Sequence, residues 1–191
     1  MKIASEQEMI ELGRTLADEY MAGDGRRGTP KMFCESKNFG GRGRQDPPSN
    51  SARQDPSSNN ARQDPPSNSS RHDPPLDKPI VFELIGDVGA GKTTLVKGLA
   101  IALGVSEPIT SPSFTISKSY ACKDGKTLTH YDFYRLDDPG IMIEDLEEKL
   151  ADDNQIIVIE WGGSVKNILP ENHTTITINY NDDNTREVTI K

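Results

Sequence analysis

Ile80-Val81-Phe82-Glu83-Leu84-Ile85-Gly86-Asp87-Val88-Gly89-Ala90-Gly91-Lys92-Thr93-Thr94 decides the architecture of this chain. The first six residues form a short β-rich run. The eight from Gly86 to Thr93 fit G-x-x-x-x-G-K-[ST] in full. From Lys92 the pattern turns helical, with Leu95, Leu99 and Leu103 on one face before Gly104. Strand, glycine loop and helix in that order are the setting in which the motif binds phosphate. Glycine at 86, 89 and 91 permits torsions and a close approach that a Cβ would block. The amides of Val88 to Lys92 then converge on an anion at a helix N-terminus, where the dipole also favours negative charge. Lys92 adds a cation for the β- and γ-phosphates, and the Thr93 hydroxyl is placed to ligate Mg2+. The nucleotide-binding set runs from Gly86 through Asp87, Val88, Gly89, Ala90, Gly91, Lys92 and Thr93 to Thr94.

Downstream the signals alternate. Ser113 to Tyr120 and Thr127 to Phe133 read as strands joined by Lys123-Asp124-Gly125-Lys126, a hairpin turn. Ile141 to Leu150 reads as a short acidic helix. Ile156 to Ile159 is apolar throughout, as expected of a strand covered on both faces. Thr175 to Tyr180 and Arg186 to Ile190 alternate on period two around Asn181 to Asn184 and form a terminal hairpin. The expected fold is α/β: a three-layer sandwich of the P-loop NTPase kind with a mixed sheet.

Upstream, Ser5 and Glu8 make an S-x-x-E capping box. Met9, Leu12, Leu16 and Tyr20 follow at helical spacing, with Gly23 as the stop. Residues 1–23 are therefore read as a helix packing on the core. Between this helix and the first strand, residues 24–79 read as a disordered low-complexity insert. A nine-residue unit, RQDPPSNSA and its variants, restarts at Arg44, Arg53, Arg62 and Arg71 without a large apolar side chain. Such a unit cannot offset an ordering entropy of about 1–2 kcal/mol per residue. The insert holds ten Lys and Arg against seven Asp and Glu, leaving 12 against 23 for the rest of the chain. The core, residues 80–191 with the first helix, is thus strongly acidic.

The whole chain has 191 residues, 33% hydrophobic and 6% aromatic, with a formal charge of −8. This balance argues against a protein that coats nucleic acid electrostatically. No apolar run approaches the roughly 20 residues of a membrane span. The acidic stretch Met1 to Ile10 lacks the apolar segment of a secretion signal. Cys34 and Cys122 have neither CxxC spacing nor a nearby His cluster, which fits a reducing cytoplasm.

A phosphate loop needs acids for metal and water, and two are well placed. Glu160 ends the apolar run at the carboxyl edge of a buried strand, where a Walker-B-type acid contacts Mg2+. Its bland alternative is a solvated strand-end Glu. Asp132 also ends a strand. It either serves Mg2+ or the nucleophile, or is a turn residue paired with Arg135. His130 reads first as a structural histidine. Trp161 either borders the nucleotide or fills the core.

The order GDVGAGKT, SPSFT (111–115), HYDFYRL (130–136) and IEW (159–161) resembles the TsaE family, bacterial ATPases of threonylcarbamoyladenosine (t6A) synthesis. The resemblance covers about residues 80–191 plus the first helix. It implies binding and slow hydrolysis of ATP with Mg2+, in support of TsaD and TsaB homologues. Those partners modify adenosine 37 of tRNAs reading ANN codons, so tRNA is met only indirectly, through the complex, and no membrane is involved. It further implies that Thr93 and Glu160 hold Mg2+ and that Lys92, Asp132 and Glu160 are catalytic. Ser111 to Thr115 would be a switch-like loop near the γ-phosphate, with Trp161 beside the site. Ser5 and Glu6, at the start of the first helix, would approach the nucleotide base. Two departures stand out: Ser113 replaces the family's usual Thr, and about 56 residues replace a short link after the first helix. A loop several-fold longer costs only about 1–2 kcal/mol more to close.

Two other activities remain in view. A small-metabolite kinase would need an Arg-bearing lid, and Arg135 is the one arginine between Asp132 and Arg186. A scaffold that binds nucleotide without meaningful turnover gives the same sequence pattern as an ATPase whose hydrolysis is slow and partner-dependent. A GTPase switch would call for an N-K-x-D-like segment late in the chain, which the sequence lacks.

Overall fold

The computed structural model describes residues 1–22, 78–134, 136 and 138–191. The insert read at 24–79 lies outside the described residues except for its last two positions, as do the helix stop at Gly23 and Arg135. In chain order the elements are β1 (Lys2–Ile3), α1 (Glu6–Met21), β2 (Ile80–Ile85), α2 (Lys92–Ala102), β3 (Ser117–Ala121), β4 (Thr127–Asp132), α3 (Met142–Leu150), β5 (Gln155–Glu160), a 3-10 helix (Gly162–Ile168), β6 (Thr174–Tyr180) and β7 (Arg186–Ile190).

One mixed sheet of seven strands runs β1-β7-β6-β2-β5-β4-β3. The central strands β6, β2, β5 and β4 are parallel, and β3 and β7 pair antiparallel at the sides. Parallel strands need cover on both faces. Alternation along β2 supplies it, sending Phe82 and Leu84 to one apolar cluster and Val81 to the other. The larger cluster lies under α1 and α2. It takes Met9, Leu12 and Leu16 from the first helix and Leu95, Leu99 and Leu103 from the second, the residues the helical spacing singles out. The smaller holds Tyr131, Phe133, Ile157 and Ile159 beneath Leu146 of α3 and Val165 of the 3-10 helix. The result is the α/β sandwich with a mixed sheet.

Helices α1 and α2 meet where neither has a side chain. A Cβ on Gly13 would stand 2.2 Å from the Leu95 carbonyl, and one on Gly98 2.1 Å from that of Ile10. Ser5 caps α1 by accepting the Glu8 amide at 3.1 Å. Glu8 reaches back one residue farther than the box rule states, to the amide of Ala4 at 2.8 Å. At the other end of α1 the Tyr20 hydroxyl is hydrogen-bonded to Thr174 on β6, and its ring stands edge-on to Phe82 at 5.0 Å.

Two local expectations change. The strand expected from Ser113 begins only at Ser117. The Pro112 carbonyl accepts the amides of Thr115 and Ile116 at 2.9 and 2.7 Å, which closes a turn, and Ile116 sits at φ +66°. The two-residue β1 and the 3-10 helix have too little periodicity to be read in advance. Among the described residues no helix is long and apolar enough to cross a membrane.

Candidate nucleotide site

The carboxyl ends of β2, β4 and β5 open into a cleft of about 480 Å3. Its floor is the loop after β2, with Val88, Gly89 and the stretch from Gly91 to Thr94 on the wall. Facing them stand Ser111, Ser113 and Phe114 from the loop before β3, and Asp132, Tyr134, Glu160 and Trp161 from the strand ends. Parallel α/β sheets place ligands in this position, at the carboxyl ends of central strands. The cleft thus gathers Lys92, Thr93, Thr94, Asp132, Glu160 and Trp161 in one place. Gly86, Asp87 and Ala90 belong to the same loop without lining the cleft. Glu6 is not among the residues lining the cleft; its carboxylate lies 3.7 Å from the ammonium of Lys97 on α2.

Gly91 starts α2 at φ +108°, a conformation that suits glycine, and so turns the chain from loop into helix. The next residue, Lys92, is buried. Its ammonium donates to the carbonyls of Gly86 at 2.8 Å and Asp87 at 3.0 Å, and lies 3.7 Å from Glu160 Oε2. It also stands 4.5 Å from the centre of the Trp161 ring. Trp161 reaches that spot through left-handed backbone, φ +60°, which is uncommon for a bulky residue. The Tyr134 ring also packs on the indole, with ring centres 5.0 Å apart.

Asp132 and Glu160 are register partners on neighbouring strands, so the two acids stand side by side, and both are buried. Each is held differently. Glu160 Oε1 takes a bond from the Thr93 hydroxyl at 3.3 Å and another from His130 Nε2 at 3.0 Å. A carboxylate oxygen accepts, so His130 Nε2 is the donor of this bond. His130 is fully buried and its Nδ1 has no partner among the described residues. Asp132 Oδ2 accepts from Ser111 Oγ at 2.9 Å and from Ser113 Oγ, while its Oδ1 accepts the Tyr134 amide at 3.0 Å.

The Thr93 hydroxyl and the Glu160 carboxylate form a pair of hard oxygen donors within 3.3 Å of each other. Mg2+ is commonly bound by one or two protein oxygens together with substrate phosphates and water, so this donor set fits it. Among the described residues no group of three or more His, Cys, Asp or Glu is arranged to hold a metal ion, which leaves no all-protein metal cage there.

Sequence patterns point to the loop and both acids, but not to the partners that orient them. His130 reads as structural, yet it touches Glu160. Tyr134, two residues beyond Asp132, lies within HYDFYRL but is given no role there. The signal is present in both cases. Alternation along β4 puts His130 on the same face as Asp132, and register puts it beside β5.

The family model described as "Threonylcarbamoyl adenosine biosynthesis protein TsaE" matches residues 68–188. The chain belongs to the TsaE family. A relative from Treponema pallidum, named tRNA threonylcarbamoyladenosine biosynthesis protein TsaE, is 39% identical over 115 residues, 60% of this chain and 84% of that protein. A Bacillus subtilis protein of the same name is 39% identical over 111 residues, 57% of this chain and 67% of its own. A solved structure titled "Crystal structure of Bacillus subtilus YdiB" aligns at 34% identity over 59% of this chain and 68% of that one, with a TM-score of 0.47. Family membership thus ties this chain to threonylcarbamoyladenosine biosynthesis.

Proposed function

We propose that this chain binds ATP with Mg2+ in the cleft above β2, β4 and β5 and hydrolyses it slowly. The cycle would serve a cytoplasmic complex of TsaD and TsaB homologues that forms t6A at position 37 of tRNAs reading ANN codons. The observation that carries this reading is the meeting of Lys92, Thr93, Asp132 and Glu160 at one cleft, from a loop and two later strands. Membership of the TsaE family supports the pathway.

The residues divide the work. The loop amides of Val88, Gly89, Gly91 and Lys92 would bind the phosphates, that of Ala90 being donated to the Asp87 carbonyl at 3.1 Å, and the Lys92 ammonium would turn from the Gly86 and Asp87 carbonyls toward the same oxygens. Thr93 and Glu160 would hold Mg2+, which when bound neutralises phosphate charge during transfer. His130 keeps Glu160 in place by donating from Nε2. Asp132 would orient the attacking water. Three of the roughly four acceptor positions of a carboxylate are engaged by Ser111, Ser113 and the Tyr134 amide, so water can be received in a fixed direction.

Replacing Lys92 by alanine removes the cation that faces the phosphates. ATP affinity measured by calorimetry should fall about a hundredfold or more, the scale of deleting a charge-assisted hydrogen bond from a buried site. Unchanged affinity would refute the nucleotide site. For the partners, a pull-down with TsaD and TsaB in ATP and Mg2+ should recover both, and recovery of neither would reject that part of the reading.

A further inference from the structure

The terminal hairpin reads from the sequence only as a pair of strands, yet it touches the phosphate loop at several points. Tyr180, the last residue of β6, donates its hydroxyl to the Gly89 carbonyl at 2.6 Å. Arg186, the first residue of β7, donates Nε to the Ala90 carbonyl at 3.2 Å. The two are register partners across the hairpin. Another guanidinium nitrogen of Arg186 donates to the Tyr180 hydroxyl at 3.3 Å, and the guanidinium carbon stands 4.9 Å from the ring centre. At the start of the loop, a Cβ on Gly86 would meet the Ile178 carbonyl of β6 at 2.4 Å, so strand and loop are in direct contact there too.

A loop whose successive N–H groups converge on an anion must turn its carbonyls outward, and those carbonyls need donors. We propose that Tyr180 and Arg186 are positioning residues that fix the phosphate loop in its anion-binding form by donating to the carbonyls of Gly89 and Ala90. They act on the ligand through the loop. The inference rests on the nucleotide-binding reading above and adds the part of the chain that sets its affinity. It also gives the β6–β7 hairpin a role beyond closing the sheet.

The test measures binding of ATP and of inorganic tripolyphosphate, each with Mg2+, to the full chain by calorimetry. The variants are Tyr180→Phe, Arg186→Gln and the double substitution. Each single change should weaken both ligands by the same factor, about five-fold, the scale of one net hydrogen bond. The turnover rate at saturating ATP should stay within about twofold, because the energy removed is uniform binding. Arg186→Lys should remain weakened, since an ammonium keeps the charge without the planar fork. Thermal midpoints should fall by no more than the few degrees that the lost hydrogen bonds account for.

Unchanged affinity in the double variant would overturn the proposal. So would a loss confined to ATP, which would put Tyr180 against the base, or full rescue by lysine, which would reduce Arg186 to long-range charge. A large drop in thermal midpoint would assign both residues to the fold instead. If the parent protein binds tripolyphosphate no better than Lys92→Ala does, the nucleotide reading itself fails, a result separate from these.

Discussion

On one face of the sheet, α1 and α2 cover a large apolar cluster and present the phosphate loop. On the other, the nine residues of α3 and a 3-10 helix cover a smaller one. The candidate chemistry belongs to the first face. Asp132 and Glu160 share strand parity with Leu128 and Val158, which pack beneath the long helices. Their immediate neighbours on the strands point the other way: Tyr131 and Phe133 flank Asp132, and Ile159 precedes Glu160, all in the second cluster. One face therefore carries the charges while the opposite face anchors the strand ends that bear them. Burying two adjacent carboxylates is costly unless each is fully hydrogen-bonded, and that demands strand ends that do not move.

The sharpest way to separate the two roles is Asp132→Asn. The amide can still accept bonds from Ser111 and Ser113, so the loop before β3 keeps its tie. It loses the charge that would draw a proton from water. Hydrolysis should fall about a thousandfold, within the range for a lost general base. ATP affinity should stay within about threefold, since binding is assigned to the loop and Lys92. Single-turnover hydrolysis beside calorimetric binding reads both quantities. Parent-level turnover would remove Asp132 from the chemistry.

A smaller effect is expected from breaking the first face at its tightest point. In Gly98→Ala the new Cβ meets the backbone of Ile10 and Gly13 across the helix crossing, where no side chain can swing away. Overpacking should cost about 2 kcal/mol even after alanine's better helix propensity is counted. Urea unfolding would measure it. An unchanged or raised stability would show that α1 floats on α2 without setting its position, and the division between a rigid face and an anchoring one would lose its first half.

The legibility of the sequence follows the same division. The strand, loop and helix over residues 80–103 are readable because each uses a local rule: an apolar run, glycine spacing, leucines on one face. Glu160 is readable because a fully apolar strand ends on it. The turn over 112–116 is not, because residue 116 is a β-branched isoleucine in left-handed backbone, against its local preference. The grip of Ser111 and Ser113 on Asp132, and of Tyr180 and Arg186 on the phosphate loop, joins residues that are remote in sequence. Only the strand order brings them together. Composition carries the partition of the chain into a repeat-rich stretch and a core, although the stretch itself lies outside the described residues.

The second face has its own test, with the smallest expected effect. The buried Tyr131 donates its hydroxyl to Asp145 of α3 at 2.6 Å, a bond that ties the helix to the strand ending in Asp132. Burial chiefly, then the bond to Asp145 and the negative charge of Asp145 and Glu148, push the phenol well above the usual tyrosine range. The folded protein therefore keeps this proton at a pH where the unfolded chain has released it. Between the unfolded value near 10 and the higher folded one, the unfolded state binds fewer protons, so stability falls as pH rises. Tyr131→Phe deletes the bond and the ionisation together. At pH 8 it should cost about 1 kcal/mol in urea unfolding. Above about pH 10 the gap to the parent protein should narrow, because only the parent has a phenol to titrate. Parallel stability curves up to pH 11 would show that the hydroxyl does not hold its proton in the folded state, and with it would go the claim that this contact anchors the strand end beneath the site.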